Sequence, residues 1–109
     1  MPGVNNVSEA DNGSTLQAQV GDVIHLRLSE NPTTGYRWAV LTGVQSVLSL
    51  RNDDFQQVVP GGIGSGGERI FRFEAINSGI VQLELALRRE WEPSSAALKR
   101  YQLTVTVRG

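Results

Sequence analysis

The sequence predicts an all-β protein: about seven to eight strands arranged as two sheets packed face to face. Three observations lead there. Apolar and polar residues alternate along nearly every stretch, glycine- and proline-containing turns separate the stretches, and no segment keeps a helical period beyond a turn or two. "VQSVLSL" is the one helical candidate.

The elements follow in order. In "STLQAQV", Leu16, Ala18 and Val20 alternate with Thr15, Gln17 and Gln19. After a tight turn at Gly21-Asp22, "VIHLRL" sets Ile24, Leu26 and Leu28 against Val23, His25 and Arg27. "YRWAV" reads as a third strand, "SVLSL" as a short segment of uncertain type, and "DFQQVV" as a further strand ending at Pro60. "ERIFRFEAI" alternates Phe71, Phe73 and Ala75 with Arg72 and Glu74, and Asn77-Ser78-Gly79 then supplies a hairpin connection. "IVQLELALR" lines up Val81, Leu83, Leu85 and Leu87, and the last strand, "RYQLTVTVR", points Tyr101, Leu103, Val105 and Val107 inward. A single sheet would leave those apolar faces in water, so two sheets must cover one another. An immunoglobulin-like β-sandwich is the favoured architecture.

Composition limits what such a sandwich does. The 109 residues, 39% of them hydrophobic, suffice for one core, so residues 1–109 read as a single domain with a flexible N-terminal segment over 1–13. Ten Lys and Arg against eleven Asp and Glu leave no basic excess for a nucleic acid backbone or an anionic membrane. Cysteine is absent, which excludes a thiol nucleophile and a thiolate-bound metal. With one histidine and no clustered acid–base pair the chain lacks the parts of an enzyme, and no cofactor or metal is expected. "MPGVNNVSEADNGS" has neither a basic nor an apolar leader region. The expected location is nevertheless periplasmic or secreted, a signal segment being absent from the chain as it stands, with the cytoplasm as the alternative.

Function in a sandwich of this kind usually resides in its loops. In "NPTTGYRW", Pro32 fixes its own φ and holds Asn31 extended, Gly35 permits a positive φ, and Thr33 and Thr34 are left at the tip. "PGGIGSGG", residues 60–67, has five glycines in eight positions and leaves backbone groups open to pairing. In "RREWEPSSAAL", Trp91 stands between two glutamates, as interface anchors often do. Each loop also has a plainer reading: a structural corner, a mobile connection, and a tryptophan folded back as a lid. Trp38 reads as core, His25 as a structural strand residue, and Asn52-Asp53-Asp54 as a solvated turn with no third carboxylate at a calcium-loop spacing.

Taken together, "NPTTGYRW", "GSGG" before an aromatic strand, and "RREW" before the final strand resemble the chagasin family of cysteine protease inhibitors over roughly residues 14–108. The family's usual Arg-Pro-Trp or Arg-Pro-Phe stands here as Arg89-Glu90-Trp91. The resemblance implies reversible, tight-binding inhibition of papain-like cysteine proteases by a monomer whose three loops plug the active-site cleft. On that reading Asn31, Pro32, Thr33, Thr34, Gly35 and Tyr36 form the central finger. Gly64, Ser65, Gly66 and Gly67 run along the unprimed side, where an enzyme wall would reject side chains. Arg89, Glu90 and Trp91 meet the primed side, and Glu90 in place of proline is expected to loosen that loop. An adhesion module or a carbohydrate-binding sandwich using Trp91 and Tyr36 remains open on the residues alone.

Overall fold

A computed structural model of the chain describes residues 3–31, 34–42, 46–57 and 66–109. Eight strands are found among them: β1 (Val4–Ser8), β2 (Thr15–Gln19), β3 (Val23–Glu30), β4 (Tyr36–Thr42), β5 (Leu48–Gln57), β6 (Gly67–Ala75), β7 (Gly79–Arg89) and β8 (Lys99–Arg108). They form two four-stranded sheets, ordered β1-β3-β6-β5 and β2-β8-β7-β4. The alternating residues of both sheets meet in one core, in which Ile24, Leu26, Leu28, Phe73, Leu83 and Val105 are fully buried. Trp38 joins that core, 7% exposed.

The flexible segment expected over residues 1–13 is instead ordered in part: Val4–Ser8 runs parallel to β3, with Val7 opposite Leu26. Burial alternates along the strand, but the apolar residues do not follow it: Val4 is exposed, Asn5 half-buried and Val7 buried, so backbone pairing more than an apolar face specifies it. The Asp22 carboxylate adds to this by accepting from the Gly3 amide at 2.8 Å and from Asn5 Nδ2 at 3.4 Å. Where β1 ends, the Glu9 carboxylate takes up the Ser29 amide of β3. Tyr101 of β8 donates its hydroxyl to the Ser8 carbonyl at 2.9 Å, tying the two sheets together. Burial, reinforced by the charges of Asp11 and Glu9, pushes that phenol up to about 12, so it remains a neutral donor.

Three further expectations are corrected. Leu48–Leu50 of "SVLSL" and Asp54–Gln57 of "DFQQVV" belong to one strand, β5, and the described part of the helical candidate, from Ser46 onward, contains no helix. A shift of register between Leu50 and Asn52 interrupts the alternation, which makes a continuous strand look like two. Asp53 and Asp54 accordingly lie in that strand, opposite Phe71 and Ile70, and not in a turn. The connection at Asn77-Ser78-Gly79 is not a hairpin: β6 and β7 belong to different sheets, and the chain crosses between them there. Gly79 takes φ +149°, and a Cβ on it would approach Val47 Cγ2 to 2.9 Å. Val58 and Val59 of "DFQQVV" lie outside the described residues.

Candidate functional site

Strand register alone brings the three singled-out loops to one end of the sandwich. Glu30 at the end of β3 pairs with Gly67 at the start of β6, Gln57 at the end of β5 pairs with the same Gly67, and Tyr36 at the start of β4 pairs with Arg89 at the end of β7. Lys99, the first residue of β8, pairs with Leu87. The second loop (58–66) joins neighbours within one sheet, and the third (90–98) joins neighbours within the other. The first loop (31–35) crosses from β3 to β4, from sheet to sheet. It therefore stands between the other two, flanked by Gly67 on one side and Arg89 on the other.

The first loop is braced by its own residues. Thr34 donates its hydroxyl to the Asn31 carbonyl at 2.8 Å and accepts from the Tyr36 amide at 3.3 Å, while its amide also points to the Asn31 carbonyl, at 3.2 Å. Gly35 takes φ +81°, a left-handed conformation that costs an L residue roughly 1–2 kcal/mol. Pro32 and Thr33, and Gly64 and Ser65 of the second loop, lie outside the described residues.

Gly67 has no room for a side chain and Gly66 has little, for a reason internal to the fold. A Cβ on Gly67 would lie 2.2 Å from the Gln56 carbonyl oxygen and 2.7 Å from the Phe55 ring, and one on Gly66 would lie 3.3 Å from the Glu30 carbonyl oxygen. The close approach that favours glycine here is made by β5 and β3, before any partner is considered.

Beneath the loops sits a buried ion pair that the period-two reading passes over. Glu30 has a side chain with no exposure; it accepts from Arg69 Nη2 at 2.8 Å and from the Trp38 backbone amide at 3.0 Å. One carboxylate thus binds the end of β3, the start of β4 and the start of β6, the strands on which the first and second loops are mounted. Arg69 extends the pair to Asp53 of β5 at 3.4 Å, and the Glu30 hydrogen bond raises its already high pKa further. Trp38 Nε1 donates to the Ser29 carbonyl at 2.9 Å, a second link between sheets. The available signal was a Glu at an inward-facing position of an alternating strand, followed by an Arg far along the chain.

The third loop presents its tryptophan outward. Trp91 is 76% exposed, so the lid reading is excluded. Arg89, its neighbour but one, packs its guanidinium over the Tyr36 ring, 4.7 Å from the centroid, joining the first and third loops. Leu98 is exposed as well and borders a groove of 410 Å³ between the loops, lined also by Asn31, Thr34, Tyr36, Gly66 and Lys99. No group of three or more His, Cys, Asp and Glu suited to a metal occurs among the described residues.

Residues 17–105 match the chagasin family of peptidase inhibitors, I42. The chain belongs to the chagasin family. It is therefore an inhibitor of peptidases and not an enzyme. It is similar to chagasin of Trypanosoma cruzi, 29% identical over 102 residues covering 87% of this chain and 90% of chagasin. Amoebiasin-1 of Entamoeba histolytica is 29% identical over 92 residues, covering 83% of this chain and 87% of that protein. Among solved structures, the cysteine protease inhibitor EhICP2 of Entamoeba histolytica superposes with a TM-score of 0.83 at 24% identity, covering 97% of this chain and 96% of that one. PbICP-C, solved in complex with falcipain-2, has a TM-score of 0.69 at 16% identity and coverage of 99% and 93%. The chagasin-family fold and the immunoglobulin-like sandwich expected from the sequence are thus the same object.

Proposed function

We propose that this protein is a reversible, tight-binding inhibitor of papain-like cysteine proteases and that its three-loop end enters their active-site cleft as a monomeric plug. The observation that carries the reading is the convergence of three motif loops on one sandwich end, with the first loop in the middle and internally braced. A papain-type enzyme attacks with a Cys thiolate beside an imidazolium, so an inhibitor that is to survive must fill the cleft without offering a peptide carbonyl in line. The Asn31 carbonyl supports this, since it already accepts from both the amide and the hydroxyl of Thr34.

In the bound state Asn31, Pro32, Thr33, Thr34, Gly35 and Tyr36 face the catalytic pair. Gly64, Ser65, Gly66 and Gly67 add backbone contacts along the unprimed side, and Trp91 stacks on the primed side with Arg89 and Glu90 beside it. Association carries a cost of roughly 4–15 kcal/mol, which preorganised loops on a rigid sandwich help to offset. Neither nucleic acid nor membrane is part of the reading, and the compartment is proposed to be periplasmic or extracellular. The test is titration of papain with a fluorogenic peptide, followed by mass spectrometry after prolonged incubation. Competitive inhibition at nanomolar concentrations with intact inhibitor is expected. A stoichiometric cut within residues 31–36 with loss of inhibition would overturn the plug in favour of a substrate-like mechanism.

A further inference from the structure

The third loop begins with a four-residue turn, Arg89 to Glu92, closed by the Glu92 amide donating to the Arg89 carbonyl at 3.0 Å. Glu90 occupies the second position of that turn, the position at which proline is favoured because its ring presets φ. The family's Arg-Pro-Trp would place a proline there, and Glu90 does not preset φ. What this chain has instead is Arg88. Its Nη1 lies 2.9 Å from the Glu92 carbonyl oxygen, 3.2 Å from that of Glu90 and 3.4 Å from that of Arg89.

The side chain reaches them from the penultimate residue of β7, where Arg88 stands in register with Arg37 of β4. Like charges directly opposite each other in a sheet repel, so the ladder itself gives no reason for a second arginine. A guanidinium turned toward carbonyl oxygens finds in them the negative ends of dipoles, and charge-assisted hydrogen bonds are about twice as strong as neutral ones. Three of the four carbonyls of the turn thereby converge on one cation, leaving only that of Trp91, whose side chain points into solvent.

We infer that Arg88 is the positioning residue of the third loop: it orders the turn that carries Trp91 and takes over the task that proline performs in the family motif. The inference rests on the inhibitory reading for its effect on binding, and on the free protein alone for its effect on the loop. Two routes to the same order should substitute for one another and should not add.

The experiment is a double-mutant cycle with Arg88→Met and Glu90→Pro, read as the inhibition constant for papain and as melting temperature. Arg88→Met is expected to weaken inhibition about tenfold while Trp91 is retained. Glu90→Pro is expected to change wild-type inhibition less than about twofold, yet to restore most of the loss in the Arg88→Met background. Arg88→Lys, which keeps a cationic donor on a long stem, should recover part of it. Equal tightening by Glu90→Pro in both backgrounds, or no loss on Arg88→Met, would overturn the inference. Amide hydrogen exchange at Glu92 in the free protein supplies a reading that needs no protease. Faster exchange in Arg88→Met, reversed by Glu90→Pro, is expected; unchanged exchange at Glu92 overturns the positioning role even if the protein inhibits as proposed. If papain is not inhibited by the wild type, the inhibitory reading fails and this exchange experiment still decides the role of Arg88.

Discussion

The two ends of the sandwich are closed by a carboxylate each, and the two are built for different purposes. At the end away from the loops, Asp22 accepts from the amides of Gly3 and Gln19, at 2.8 and 3.0 Å, and serves as a local staple for the β2–β3 turn and the N-terminal strand. At the loop end, Glu30 is fully buried, bound to Arg69 and to the Trp38 amide, and reaches across both sheets. The first end exposes the aliphatic side chains of Val4, Val20 and Ile80. The second displays Trp91 and Leu98 in solvent. A surface that leaves a large aromatic wet while burying a charge pair beneath it has its rigidity concentrated under the loops, where a binding surface needs it.

The strongest way to break this contrast is to remove Glu30. Glu30→Ala leaves the Arg69 guanidinium, 11% exposed, without its main partner. Breaking a buried pair on one side costs about 3–5 kcal/mol, to be measured by urea unfolding, and inhibition by the remaining folded fraction should also weaken as the loop bases separate. A loss of stability below ~1 kcal/mol would show that the pair is not an anchor of this end.

Trp91→Ala sharpens the contrast from the other side. The residue is three-quarters exposed, so melting temperature should barely move. Inhibition should weaken by ~2 kcal/mol or more, read as the inhibition constant, if the ring becomes buried in the complex.

Gly35→Val comes next in size. At φ +81° a branched side chain is strained, with a local cost of roughly 1–2 kcal/mol, and both threonines of the first loop move with the turn. Inhibition should fall further than stability. A collapse in melting temperature with normal inhibition by the folded fraction would make this turn a structural corner only.

The smallest effect is expected at the staple. Hydrogen bonds from the Gly3 amide first, then from the Gln19 amide, hold the Asp22 carboxyl below its ordinary value of 3.8. The folded-state pKa is therefore the lower of the two, so the contribution is complete at neutral pH and fades as pH drops below 3.8 through the depressed value. Asp22→Asn should lower the melting temperature slightly at neutral pH, and the gap from wild type should narrow in acid. Inhibition at neutral pH should be unaffected, since the loops are at the other end.

The local sequence determined which residues face inward, because a strand's side chains alternate whatever it pairs with, and this made Leu26, Phe73, Leu85 and Val105 legible as core. It also marked where the three motif loops lie, because proline and glycine constrain the backbone by themselves and a tryptophan between two glutamates does not fit an alternating strand. Two departures from alternation defeated that reading: Val4–Ser8, which buries one side chain, and β5, whose register shift near Arg51 splits its pattern. Only the tertiary structure decided which sheet each strand joins, and hence that the first loop bridges the sheets between the other two. It also decided the partners that order the loops. Glu30 finds Arg69 thirty-nine residues away, Gly67 is required by the carbonyl of Gln56, and Arg88 turns along its own strand to gather the carbonyls that follow it. Those contacts depend on register and on distance through space, and neither is written in the spacing of polar and apolar residues along the chain.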